Sequence, residues 1–398
     1  MDLKQESMAM RKEHNGILTT GLKMPINDRH ALAVAYTPGV AEPCLHIKED
    51  EDLSFSLTLR GNVIAVISDG TRVLGLGDIG AVAAIPVMEG KAAIYKRFAN
   101  IDALPVVINT KDPEEFIRTV KLLEKNYAGI NLEDISSPKC YDIEDRLIEE
   151  MEIPVFHDDQ HGTAIAALAA LLGALRFVKK DISKVKIVIN GAGAAGTAIA
   201  NMILAAGATD MTMLNSKGIL YDNGKLNRVQ KDLVDRINPE NRQGTFQDAI
   251  KGADVLLGVS KAGAFKPEDM KLLAKDSIVF AMANPVPEIM YEEAIAAGVA
   301  VCGTGRSDMP NQVNNSSVFP GLFRGAIDVH SRRINMEMKL AAAHALADLI
   351  DDKDLRQDNV VIDVFDERVP FAVAKAVAKK AIETGVARMK ELPAQYRD

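Results

Sequence analysis

Five short apolar runs in the second half of the chain restrict its fold more than any other feature. They are KVKIVIN (184–190), TDMTMLN (209–215), ADVLLGVS (253–260), SIVFAMAN (277–284) and VAVCGTG (299–305). Each ends in small or polar residues. Between several of them lie stretches with helical spacing, such as 194–206, where Ala195, Ile199, Met202, Ile203 and Ala206 recur on one face. Strands alternating with helices predict a parallel sheet covered on both faces.

The first half reads differently. Up to about residue 160, short β-rich runs (NVIAVIS, LPVVINT, IPVF) are separated by loops dense in Gly, Asp and Pro. The expected class is therefore α/β, a Rossmann-type doubly wound parallel sheet preceded by a smaller α/β domain. The division is placed at 1–160 and 161–398. The last eighty residues read as mostly helical, with Gly385 as a helix stop, and are placed to pack back on the first domain. The uncharged run from Gly162 to Leu175 is too short to cross a bilayer and reads as a buried helix.

Gly191-Ala192-Gly193-Ala194-Ala195-Gly196 follows the first strand of the alternating half and opens its first helix. Gly191 permits the tight turn, Gly193 lets the backbone approach a pyrophosphate, and Gly196 allows close packing of helix on strand. The free amides at the helix start, with Ala194 and Ala195 in its first turn, suit phosphate. A second match, Gly75-Leu76-Gly77-Asp78-Ile79-Gly80, follows Asp69, Gly70 and Arg72 rather than a clean strand. Asp78 would repel a pyrophosphate, so this segment reads as an active-site loop of the other domain. At the end of the second strand, where an acid commonly binds the adenosine ribose of NAD, stands Asn215, followed by Ser216 and Lys217. No carboxylate there repels a 2′-phosphate, so NADP is expected to be tolerated; NAD held by Asn215 alone is the other reading.

Two acidic segments end apolar runs: Leu132-Glu133-Asp134 and Phe156-His157-Asp158-Asp159-Gln160. Carboxylates meeting at strand ends suit a hard cation such as Mg²⁺ or Mn²⁺, whereas solvated loop charge is the plainer alternative. His157 and His161 have the spacing of zinc ligands on a helix, but the glutamate of HExxH is absent. The 47% hydrophobic and 26% charged composition is that of a globular chain, and the net charge of −8 argues against nucleic acid as a main partner. Three scattered cysteines fit neither a disulfide framework nor a zinc knuckle, so a reducing cytoplasm is expected. The charged first sixteen residues do not resemble a signal peptide, and no membrane role is expected.

These segments, in this order, resemble malic enzymes. The matching stretches are Tyr36-Thr-Pro-Gly-Val-Ala41, Ser68-Asp-Gly-Thr-Arg72 through Asp78, Glu89-Gly-Lys91, Asn131 to Asp134, Phe156 to Thr163, GAGAAG at 191–196, Ala283-Asn284-Pro285, and Asn314-Asn315 before Phe319-Pro320-Gly321. The length fits the short bacterial form, without the phosphotransacetylase-like extension of some relatives. The resemblance implies oxidative decarboxylation of (S)-malate to pyruvate and CO₂ with NAD or NADP and Mg²⁺ or Mn²⁺. It implies Lys91 as the base at the C2 hydroxyl, Asp158 as the carboxylate that positions its amine, and Tyr36 as the acid at C3. It further implies Glu133, Asp134 and Asp159 as metal ligands and Arg72 as the holder of a malate carboxylate. Asn284 and Asn315 would supply amide contacts to substrate and nicotinamide. Homodimers or higher homo-oligomers are the implied assembly, with N-terminal residues reaching a neighbouring subunit. Three rival functions stand beside it: malolactic decarboxylation to lactate, dinucleotide sensing without chemistry, and a non-decarboxylating amino-acid dehydrogenase, which needs no carboxylate metal site.

Overall fold

A computed structural model describes residues 2–397. The first sheet is built from β1 (Val63–Ser68), β2 (Asp102–Val107), β3 (Gly129–Leu132) and β4 (Val155–His157), all parallel, in the order β2-β1-β3-β4. The second contains β5 (Lys186–Asn190), β6 (Asp210–Asn215), β7 (Gly218–Ile219), β8 (Val255–Gly258), β9 (Ile278–Ala281) and β10 (Val301–Thr304). Its order is β10-β9-β8-β5-β6-β7. Strands β5, β8, β9 and β10 are wholly buried at their centres, as continuous apolar runs in a doubly covered parallel sheet must be.

One element departs from the expected pattern. The strand beyond β6 is a two-residue antiparallel hairpin arm rather than a third parallel strand. Gly218 (φ +124°) turns the chain back after only two residues, Ser216 and Lys217, which leaves no room for a crossover helix.

Helix Asp158–Val178 joins the two sheets. Its length and hydropathy would let it cross a membrane, but most of it is buried inside the protein. It lies against helices Ala194–Ala205 and Met336–Ala347 and is a core helix. The uncharged run begins at Gly162, but the helix begins four residues earlier, with Asp158 and Asp159 in the first turn, where the helix dipole favours negative charge.

The C-terminal helices Phe319–Asp328 and Arg368–Glu383 pack on each other, and the first of them returns to the first sheet. Phe323 meets Tyr95 and Phe156 edge-on, with ring centroids 5.5 and 5.8 Å apart, and closes over Gly129 of β3. A side chain at 129 would meet that ring at 3.0 Å.

Candidate active site

The first sheet brings its chemistry together by register. Leu132 of β3 pairs with His157 of β4, and Ile67 of β1 pairs with Leu132. Glu133-Asp134, Asp158-Asp159 and Asp69-Gly70-Thr71 therefore leave three neighbouring strands at one level, at the carboxyl ends where open α/β sheets place ligands.

Lys91 comes from helix Ala81–Ala99, and its Nζ lies 2.6 Å from Asp158 Oδ2 and 3.0 Å from Glu133 Oε1. The amine also sits 4.3 Å from the centroid of Phe319. Asn315 donates from Nδ2 to the same Asp158 oxygen at 2.5 Å. Asp158 is fully buried, and its other oxygen has no hydrogen-bond partner. Gly162 makes this possible, since a Cβ there would stand 1.8 Å from that oxygen. On the far side, Tyr95 donates to Asn131, and Asn131 donates to Glu133 Oε2 at 2.8 Å.

Burial lowers the pKa of Lys91, but attraction to Asp158 and Glu133 outweighs it, and the amine is held above its ordinary value. Burial raises Asp158, to about 6, against the pull of Lys91. As it stands, Lys91 is an ammonium clamped between two carboxylates.

Oxygens of Glu133, Asp134 and Asp159 all lie within 4.8 Å of one another. Asp159 accepts from the backbone N–H of Asp134 at 2.8 Å, and Asp134 occupies the left-handed region at φ +56°. The second oxygen of Asp134 is buried without a partner. Burial, then repulsion from Asp159 and Glu133, pushes the Asp134 carboxyl up to about 8. Four acids thus face one lysine. A hard dication with oxygen ligands would relieve that repulsion and occupy the orphaned oxygen, so the donor set fits Mg²⁺ or Mn²⁺. His161 points instead to Glu144, and His157, whose Nδ1 lies 3.8 Å from Asp159 Oδ2, is not among the three residues whose ligand atoms cluster.

Not every candidate residue reaches this cluster within one chain. The backbone of Arg72 donates to the Asp134 carbonyl, which sets loop 70–80 beside the carboxylates, but its guanidinium is exposed. Tyr36 is 67% exposed, on a helix cap in a region of three helices with no buried residues. Asn284 is an exposed residue just beyond β9, beside Gly305.

In the second sheet the order reverses between β5 and β8, and the glycine loop lies there. Gly191 (φ +130°) has no space for a Cβ, which would meet the Val259 carbonyl at 2.5 Å, and a Cβ on Gly196 would stand 1.8 Å from the Gly191 carbonyl. Above Gly193 nothing lies within 4 Å. A Gly193→Val variant should therefore keep its melting temperature yet bind the dinucleotide roughly 10-fold or more weakly, about 1.4 kcal/mol. Fluorescence titration with NADH or NADPH checks this; unchanged affinity would move the pyrophosphate elsewhere. Asn215 ends β6, and its Oδ1 accepts the N–H of Lys217 at 2.8 Å, leaving its amide nitrogen free to donate.

Comparison with known proteins decides the family. Residues 15–148 match the model of the malic enzyme N-terminal domain, and residues 160–382 match that of the malic enzyme NAD binding domain. The chain belongs to the malic enzyme family. It is 51% identical over 392 residues to the bifunctional malic/malolactic enzyme of Bacillus subtilis, covering 98% of this chain and 95% of that one. It is 49% identical to the NAD-dependent malic enzyme of Geobacillus stearothermophilus, covering 95% and 79%. Its fold matches the crystal structure of malic enzyme from Pyrococcus horikoshii with a TM-score of 0.92, at 43% identity and 96% and 93% coverage. The family assignment carries NAD or NADP binding with it.

Several residues of this malic enzyme site were not singled out from the sequence: Phe319 under the lysine, Tyr95 behind Asn131, and Glu144 and Lys139 around the acidic turns. Lys139 pairs with Asp69 at 2.5 Å. Asn131 and Phe319 both lie in matching segments, but no pattern marked Tyr95, Glu144 or Lys139.

Proposed function

We propose that this protein converts (S)-malate to pyruvate and CO₂, reducing NAD or NADP and using Mg²⁺ or Mn²⁺. The observation that carries this reading is the buried Lys91 amine, 2.6 Å from Asp158 and 3.0 Å from Glu133, beside a three-carboxylate group. Residues 1–160 are taken as the substrate domain and 161–398 as the dinucleotide domain.

Lys91, once its ammonium has given up a proton to solvent, accepts the proton of the C2 hydroxyl. It can do so only when the charge of Glu133 is engaged elsewhere, which a role for Glu133, Asp134 and Asp159 as cation ligands provides. Asp158 then keeps the amine in place through Oδ2, steadied by Asn315. When bound, the dinucleotide supplies the hydride acceptor and the cation supplies the positive charge that polarises the C2 oxygen. Arg72 holds a malate carboxylate, and Asn284 contacts substrate and nicotinamide. Tyr36 returns a proton to C3 after CO₂ leaves. Asn215 and Lys217, with no acid between them, accommodate NADP as well as NAD. A second reading, release of lactate, rests on the likeness to the bifunctional Bacillus enzyme.

Tyr36 requires a partner for its role. Around it Leu32 and Val34 are 51% exposed, Leu45 57% and Leu22 76%, an apolar surface that a second copy of the chain would cover. We take the working unit as a homodimer or higher oligomer in which Tyr36 serves the neighbour's site. Mixing two inactive variants, Lys91→Ala and Tyr36→Phe, tests it. Heterodimers with a shared site hold one intact Lys–Tyr pair, so random reassortment should restore about one quarter of wild-type activity. A mixture as inactive as its components would place Tyr36 in the site of its own chain, and an active Tyr36→Phe would place it outside the chemistry.

A further inference from the structure

Glu144 lies on helix Lys139–Glu150, which carries none of the proposed catalytic or cation-binding residues, yet it is only 4% exposed and hydrogen-bonded through both oxygens. All three of its donors come from one five-residue segment. The backbone N–H of His157 donates to it at 2.9 Å, the Gln160 side chain at 2.9 Å and the His161 ring at 3.0 Å. That segment is the turn from β4 into helix Asp158–Val178, and it carries Asp158 and Asp159.

The residues of this turn are themselves buried, His157 and Asp158 fully and Gln160 nearly so. A cavity of about 530 Å³ opens against it, lined in part by Tyr141, Glu144, Gln160, His161, Thr197 and Met336. The hydrogen bonds to one carboxylate thus tie the turn to helix Lys139–Glu150 on the side where the cavity opens. Burial alone would raise the Glu144 carboxyl, but attraction to His161, its hydrogen bond and nearby Lys339 bring it down to about 2, so it remains an acceptor on both oxygens. Lys339, 7% exposed on the next packed helix, supplies the balancing charge.

From this arrangement we infer that Glu144 is a positioning residue: it fixes the turn 157–161, so that Asp159 meets Glu133 and Asp134 while Asp158 meets Lys91, without itself touching the reacting groups. The link continues through Asp159, which accepts the N–H of Asp134. The inference rests on the cation site proposed above and goes beyond it to the residue that sets its geometry.

The test is Mn²⁺ affinity of the full-length protein, followed by the electron paramagnetic resonance of free Mn²⁺. Outer groups that orient ligands typically change metal affinity by about 10- to 100-fold, and Glu144→Gln should weaken Mn²⁺ binding by that amount. Dinucleotide affinity should stay at the wild-type value, because the glycine loop lies in the other sheet. A general loss of structure would lower both. Wild-type Mn²⁺ affinity in Glu144→Gln would overturn the role of Glu144 and leave the cation site standing. Absence of Mn²⁺ binding in the wild type would overturn the cation site and this inference with it. Should Glu144→Gln fail to fold, Gln160→Met removes one donor and leaves His161 in place. It is expected to weaken Mn²⁺ severalfold, and unchanged affinity there would equally overturn the inference.

Discussion

Lys91→Ala is expected to lose malate oxidation by about 10²- to 10⁴-fold, the usual contribution of a positioned general base. The charge of Lys91 also balances Asp158 and Glu133, so the alanine variant alone cannot separate basicity from charge. Lys91→Arg does. A guanidinium keeps the positive charge over Phe319 but does not release its proton at working pH. Arginine should therefore be as inactive as alanine while retaining Mn²⁺ and dinucleotide binding. Steady-state rates with malate, beside binding titrations, read both effects. An active arginine variant would reduce Lys91 to a charge-balancing role.

How much of this was legible beforehand follows from what each residue must do locally. Buried parallel strands have to be continuous apolar runs, so KVKIVIN and SIVFAMAN declared themselves, and β5 and β9 fall inside them. The short β7 did not, because two residues carry no periodicity and its turn depends on the φ of Gly218. Acidic pairs after β3 and β4 were readable as strand-end carboxylates, though only the register Leu132 with His157 brings them face to face. Lys91 looks like any lysine in a helix. Its partner lies 67 positions along the chain, and only the resemblance to a family pointed to it. Phe319 meets Lys91 across a still longer stretch of chain, while Glu144 bonds to residues 13 to 17 positions ahead, and no local pattern ties either to the site. Tyr36 was picked out by its motif, but a single chain leaves it in solvent.

Removing the divalent cation is the second large effect. Chelation should abolish turnover, and Mn²⁺ or Mg²⁺ should restore it. The apo protein offers an independent sign. The Asp134 carboxyl stands at about 8 when folded, against 3.8 for the ordinary group. Between those values the unfolded chain releases a proton that the folded chain keeps, so stability falls as pH rises through that window. Metal-free protein should melt at a higher temperature at pH 6 than at pH 8, and Asp134→Asn should flatten that dependence. A cation that binds only the folded state, at a hundredfold excess over its Kd, adds about 2.7 kcal/mol. Added Mn²⁺ should thus raise the melting temperature most at pH 8, where the carboxylates are charged. Full activity in excess chelator, with no residual metal, would contradict the cation assignment.

The central claim is a decarboxylating oxidation of malate, and one measurement addresses it most directly. Purified protein is incubated with (S)-malate, Mn²⁺ and either NAD or NADP, and reduced nicotinamide, pyruvate and lactate are quantified together. Pyruvate and reduced nicotinamide are expected in equal amounts, with turnover on both dinucleotides. Lactate without net reduction, or malate left unchanged with cation and dinucleotide both bound, would contradict it.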